Sequence, residues 1–224
     1  TADEAVALVP EGASILLGGF GLCGIPENLI QALTRRGTRN LTVMSNNAGV
    51  ADFGIGLLLR NKQVRAMVGT YVGENEVLER MILDKEIDIQ LVPQGTFAER
   101  VRAHGAGIPA FFTPTGVGTV VAEGKETRVF DGREYVLERS LGADFAFVKA
   151  YQGDLMGNLV YRRTTRNFNP MMATAGKITI AEVEQIVETG SLDPEAVVTP
   201  GIYVDVLVQG QVYEKRIEKR TYRG

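Results

Sequence analysis

Few side chains in this sequence can do chemistry, and most of them stand beside one glycine cluster. The stretch Ser14-Ile-Leu-Leu-Gly-Gly-Phe-Gly-Leu-Cys-Gly-Ile-Pro-Glu27 runs from β-prone residues through Gly18, Gly19, Gly21 and Gly24 into an expected helix. Those glycines tolerate φ > 0 and let a ligand approach the main chain. Pro26 suits a first helical position, where its missing N–H costs nothing. Such a strand–glycine–helix junction aims free N–H groups and a positive dipole end at an anion or polarised oxygen. An acyl or phosphate-bearing ligand is therefore expected here.

Gly19-Phe-Gly-Leu-Cys-Gly24 fits the G-x-G-x-x-G dinucleotide pattern, but that pattern needs an acidic residue about 20 positions on for the ribose. None occurs between Glu27 and Asp52, which argues against NAD, and no Gly-Lys-Ser/Thr follows to make a P-loop. One cysteine and one histidine argue against an internal Cys/His zinc site. His104 reads as a cation at a fraying helix end. Cys23 near a helix start invites a nucleophile reading, yet a small residue in a tight loop is the simpler account.

These residues need a scaffold, and the chain supplies strand, polar junction and helix in repetition. Strand 14–18 precedes helix 25–36, strand 41–45 meets Asn46, and strand 64–68 leads through Glu74 into helix 76–85. Strand 87–92 reaches Gln94, where Thr96-x-x-Glu99 reads as a capping box. Alternation of this kind predicts a parallel sheet covered by helices on both faces. Ligands in such folds lie beyond the carboxyl ends of the strands, so the glycine loop, Asn46, Glu74 and Gln94 are expected in one crevice. Residues 105–124 read as ordered loops near that crevice. Asp131-Gly132 signals a hairpin between 128–130 and 133–137. A second pair, 145–151 and 158–161, is assigned to the same antiparallel lobe, which spans 105–160 of a single domain covering 1–224. Late strands are predicted at 177–180 and 202–208, with a helix over 181–188 between them. Arg162, Arg163 and Arg166 read as a solvated basic face, and Glu214–Arg220 as a charged surface extension.

Composition narrows the class. The net charge of −3 gives no support to nucleic-acid or anionic-membrane binding, and no apolar run approaches the ~20 residues of a bilayer span. The first residues show no signal-peptide pattern. A single cysteine suits a reducing cytoplasm or organelle matrix, and of these a cytoplasmic location is expected.

In Leu17–Leu29, Ser45-Asn-Asn-Ala-Gly49, Tyr71-Val-Gly-Glu-Asn75, Pro93-Gln-Gly-Thr96, Phe112-Thr-Pro-Thr-Gly116, Arg166-Asn-Phe-Asn169 and Tyr213-Glu-Lys-Arg216 the sequence resembles the alpha (A) subunit of family I CoA-transferases, especially the succinyl-CoA:3-oxoacid type. The resemblance covers essentially the whole chain. It implies an open three-layer α/β/α fold with a mostly parallel sheet and a small antiparallel lobe. The implied activity is CoA transfer from succinyl-CoA to a 3-oxoacid such as acetoacetate. Coenzyme A is then substrate and product, with no cofactor or metal bound permanently. A companion beta subunit is also implied, in an α2β2 assembly, and it carries the nucleophilic glutamate in a Ser-Glu-Asn-Gly motif. This chain lacks that tetrad, and Gly73-Glu-Asn75 is a poor substitute for it, so no catalytic nucleophile is expected here. By the same resemblance Gln94 and Asn46 contact the substrate, while Gly18, Gly19, Phe20, Gly21, Leu22, Cys23 and Gly24 line the CoA-facing loop. The acceptor stays open among acetoacetate, 3-oxoadipate, and acetate or butyrate. A non-catalytic ligand-binding domain of related fold is the alternative class.

Overall fold

The computed structural model describes residues 1–217 of the 224. Four β–α units open it. They are β1 (Ser14–Leu17) and α2 (Glu27–Arg36), β2 (Leu41–Met44) and α3 (Ile55–Arg60), β3 (Val64–Gly69) and α4 (Glu76–Leu83), and β4 (Asp88–Leu91) and α5 (Gln94–Gly105), after a short α1 (Ala2–Val6). Next come β5 (Ala110–Thr113), β6 (Thr127–Phe130), β7 (Arg133–Arg139), β8 (Ala143–Asp154) and β9 (Leu159–Val160). The described chain ends with α6 (Asn169–Ala173), β10 (Gly176–Val187) and β11 (Val206–Gln209).

The main sheet runs β11-β10-β8-β1-β2-β3-β4, with every neighbour parallel and β9 added antiparallel on β8. Successive residues of a strand face opposite ways. Ile15 and Leu17 accordingly join the core under α1–α4, whereas Leu16 joins a second core under α5 and α6. Burial on both faces explains the unbroken apolar runs of these strands. The expected three-layer α/β/α architecture is therefore present, and β5-β7-β6 form the small antiparallel sheet. Its hairpin turns at Asp131 (φ 48°) and Gly132 (φ 75°), the two left-handed residues of a type I′ turn.

Several expectations need correction. Residues 181–188 are not a helix, because β10 runs on to Val187. Its pattern has period 2: Ile178, Ile180 and Glu182 face the α2 side, while Ala181 and Val183 face α6. The 145–151 segment is no part of the small lobe. It lies within β8, which pairs with β1 and β10 in mid-sheet. The lobe is confined to 110–139, where β5 takes up part of the segment read as loop. Residues 201–203 form a 3-10 turn, and the last strand begins only at Val206. Pro26 and Pro93 are the N-caps of α2 and α5. Thr96 thus lies inside α5 with its hydroxyl buried and unpaired, and Glu99 bonds Arg102 instead.

Opposite the ligand-facing edge, Asp144 fixes the start of β8 to β1. It accepts from Ser14 N–H (3.0 Å) and Oγ (2.7 Å) and from Lys177 Nζ (2.9 Å). The Lys177 ammonium and the Ser14 donors hold its carboxyl down, to about 2. The folded state therefore binds this proton less readily than the unfolded chain. The stabilisation is complete above about pH 4 and is lost as pH falls toward 2. Solvent screens this pair, whose lysine is largely exposed, so it contributes about 1 kcal/mol. In Asp144→Asn, urea unfolding followed from pH 7 to pH 2 is expected to show that deficit at neutral pH and none at the acid end.

Candidate active site

The carboxyl ends of β1, β2 and β3 and the start of α5 surround a cleft of about 540 Å³. Asn46, just past β2, is 2 % exposed. Its Nδ2 donates to Gln94 Oε1 (3.1 Å) and to Thr70 Oγ1 (3.1 Å), and the Thr70 hydroxyl donates back to Asn46 O (2.8 Å). With its oxygen engaged, the exposed Gln94 side chain keeps its NH2 as the donor it can offer to the cleft. Gln94 is also the first residue of α5, so the helix's unpaired N–H groups and positive end stand beside it. Phe20 and Gly21 line the opposite wall, and Asn47, Tyr71 and Glu74 complete the rim. Asn75 holds that rim in place: it caps α4 through Leu78 N–H (3.2 Å) and donates to Ala48 O (2.9 Å). Glu74 sits beside it at φ 72°, a conformation costly for a non-glycine residue.

The glycine loop divides between two places. Phe20 and Cys23 exchange main-chain bonds of 3.0 Å around Gly21-Leu22, a tight turn that presents Phe20 to the cleft. Leu22, Cys23 and Gly24 line a separate cavity beside the loop. Gly18 and Gly19 face neither: a methyl on Gly18 would overlap the Asn169 side-chain oxygen, and one on Gly19 would meet Ile25. Two asparagines set the loop's shape. Asn167 Nδ2 donates to Cys23 O (2.9 Å), and Asn169 Nδ2 donates to Gly24 O (3.0 Å) and Thr165 O (2.9 Å). Asn169 Oδ1 accepts from Lys149 N–H (2.8 Å), and the residue is wholly buried. Losing it strands several main-chain groups, each worth about 1–3 kcal/mol when buried unpaired. Asn169→Ala is expected to cost about 3 kcal/mol by urea denaturation, with far-UV dichroism of the native state unchanged.

The start of α2 does not await an external anion. Glu182 of β10, fully buried, accepts from Leu29 N–H (2.8 Å) and Asn28 Nδ2 (2.9 Å) and so supplies the negative charge itself. Burial pushes its carboxyl upward despite these bonds. Glu27 is also raised by burial, while accepting the N–H groups of Glu214 (2.8 Å) and Lys215 (3.0 Å). The segment read as a surface extension is thus strapped to the body through residue 217. Lys215 and Lys149 bind Glu184, and Arg216 grips Asp52 (3.0 Å). The remaining residues of that reading, 218–220, lie outside the described part.

Of the residues singled out in sequence, Asn46, Gln94, Phe20 and Gly21 meet at the cleft, joined by Glu74. Thr70, Asn47 and Tyr71 were missed, although Thr70 directly follows β3, Asn47 follows Asn46, and Tyr71 opens the Tyr71–Asn75 stretch. Among the described residues no group of three His, Cys, Asp or Glu side chains is placed to hold a metal ion, and no helix is long and apolar enough to cross a membrane.

The family model for coenzyme A transferase matches residues 1–210, and the chain belongs to that family. It is 59% identical over 221 residues to the probable A subunit of succinyl-CoA:3-ketoacid coenzyme A transferase from Bacillus subtilis (strain 168), covering 99% of this chain and 93% of the relative. Identity is 54% over 222 residues to the A subunit of the succinyl-CoA:3-ketoacid coenzyme A transferase from Helicobacter pylori (strain J99), covering 99% and 96%. Among solved structures, the thioester complex with CoA of an acyl-CoA transferase from Escherichia coli O157:H7 superimposes with a TM-score of 0.83 at 24% identity. That likeness covers 97% of this chain but only 51% of the larger protein, so the chain spans about half of it and shares its fold.

Proposed function

We propose that this chain is the alpha (A) subunit of a succinyl-CoA:3-ketoacid CoA-transferase, moving CoA from succinyl-CoA to a 3-oxoacid such as acetoacetate. The observation that carries the reading is the Asn46–Gln94 pair, which leaves the Gln94 amide as a fixed donor in an open cleft. The names of the Bacillus and Helicobacter relatives support the substrate pair. In this reading the companion subunit lends a glutamate, which is ionised at pH 7 and needs no histidine base. Its carboxylate attacks the succinyl thioester, and expulsion of CoA thiolate leaves a mixed anhydride. The thiolate then attacks the glutamyl carbonyl, releasing succinate and leaving a glutamyl-CoA thioester, and the same steps in reverse load acetoacetate. Gln94 donates to the oxyanion formed at each addition, and Phe20 and Gly21 border the path of the acyl chain. Both intermediates react with water, so the companion closes the cleft. An α2β2 assembly in the cytoplasm, with coenzyme A only as substrate and product, completes the proposal.

Glu74 offers a second reading, supported by its place in the lining of the same cleft and by its backbone at φ 72°. One experiment separates the two. The chain is assayed for succinyl-CoA-dependent formation of acetoacetyl-CoA, alone and with its companion, and the trapped CoA adduct is located by mass spectrometry. Activity only with the companion, and an adduct on the companion's glutamate, is the expected result. Full activity of the lone chain with the adduct on Glu74 would overturn it.

A further inference from the structure

Beside the glycine loop lies a second cavity, of about 250 Å³, which shares no lining residue with the cleft. Five cationic residues line it, Lys149, Arg162, Arg163, Lys215 and Arg216, against the two acidic residues Glu27 and Glu184. Three surplus positive charges are thus concentrated in a chain whose net charge is −3. Lys149 and Lys215 share Glu184, and Arg216 has Asp52. Arg162 and Arg163 have no carboxylate partner among the described residues. The Arg162 guanidinium stacks on the Tyr151 ring at 5.1 Å, and Arg163 is held at φ 53°. A non-glycine residue keeps that backbone only where its surroundings impose it. Facing the two arginines are apolar side chains, Leu22 and Ile25 from the loop and Ile217 from the strap.

We propose that this cavity is a second binding site, for a small aliphatic carboxylate, with its head on Arg162 and Arg163 and its carbon body on Leu22, Ile25 and Ile217. Guanidinium forks match the two oxygens of a carboxylate. The volume falls below the ~300 Å³ at which pockets for drug-sized ligands begin, which favours a short acid over a nucleotide. The cavity wall includes Cys23 and Gly24, and the 162–165 turn reaches the loop through Thr164 Oγ1 on Cys23 Sγ (3.5 Å). Occupation therefore bears on the loop that carries Phe20 into the cleft. The site stands on its own residues and does not depend on the transfer reaction.

Titration calorimetry of the purified chain with butyrate, against inorganic phosphate, tests the assignment. Saturable butyrate binding is expected, weakened at least about tenfold in Arg162→Gln/Arg163→Gln. The melting temperature of that variant should be unchanged, since both side chains are exposed. The chain's one thiol, Cys23, serves as an internal reporter: bound butyrate should slow its alkylation by iodoacetamide. Absence of saturable heat overturns the proposal, as does unaltered affinity in the double variant. Phosphate binding as tight as butyrate removes the apolar half of the site and overturns it too. Loss of butyrate binding in Gln94→Ala would assign the ligand to the cleft instead.

Discussion

Replacing Gln94 with alanine is expected to lower kcat of the assembled transferase by two to three orders of magnitude, with the KM for succinyl-CoA moving only a few-fold. A preorganised donor aimed at a developing oxyanion contributes about 3 kcal/mol to the transition state and much less to the ground state. Here the preorganisation is visible. Asn46 occupies Gln94 Oε1, and Thr70 steadies Asn46 from both ends of its hydrogen-bonding capacity. Gln94→Glu should do no better, since it puts an acceptor and a negative charge where a donor is needed. Asn46→Ala acts through Gln94 and is expected to cost about tenfold in kcat, because the amide becomes free to rotate. Steady-state kinetics of the complex checks all three. Near-normal kcat in Gln94→Ala would remove the donor role.

The largest stability effect is expected at Gly18. An added methyl there meets the Asn169 carboxamide, with Phe147 O at 3.3 Å on another side. Neither neighbour yields easily, because Asn169 is buried and committed to three main-chain groups. Overpacking of about 1–3 kcal/mol adds to broken buried hydrogen bonds, so Gly18→Ala should lose about 4 kcal/mol in urea unfolding. Since both changes strike one contact, Gly18→Ala/Asn169→Ala should fall short of the summed losses by at least about 1 kcal/mol. Strict additivity would show that the overlap is relieved elsewhere.

Much of this organisation was legible in the sequence because it is local. The β–α units up to residue 105, the Asp131-Gly132 turn and the meeting of Asn46 with Gln94 follow from periodicity, turn chemistry and the rule that ligand-facing residues end parallel strands. What stayed hidden depends on partners far away in the chain. Glu182 and Glu184 look helical in Ala-Glu-Val-Glu-Gln, since glutamate favours helices and nothing nearby shows what faces them. Only the fold brings the start of α2 to Glu182, and that one pairing undoes both the predicted helix and the idea of an external anion at α2. Thr96 and Glu99 have capping-box spacing, yet Pro93 starts α5 earlier and leaves the box inside the helix. The division of the glycine loop between cleft and cavity is likewise set by Asn167 and Asn169, more than 140 positions away.

The pairing of β1 with β8 carries a consequence for biogenesis. Ser14 bonds Asp144 across 130 positions, while β1 meets β2 after fewer than 30. A ribosome adding about 5–20 residues per second therefore leaves one edge of β1, the apolar middle of the finished sheet, without a neighbour for roughly 7–26 seconds. Through that interval the nascent half-sheet presents the kind of open edge on which chains stick to one another. Yield in a cell should accordingly respond to translation speed and to chaperone supply more sharply than the stability of the mature protein would suggest.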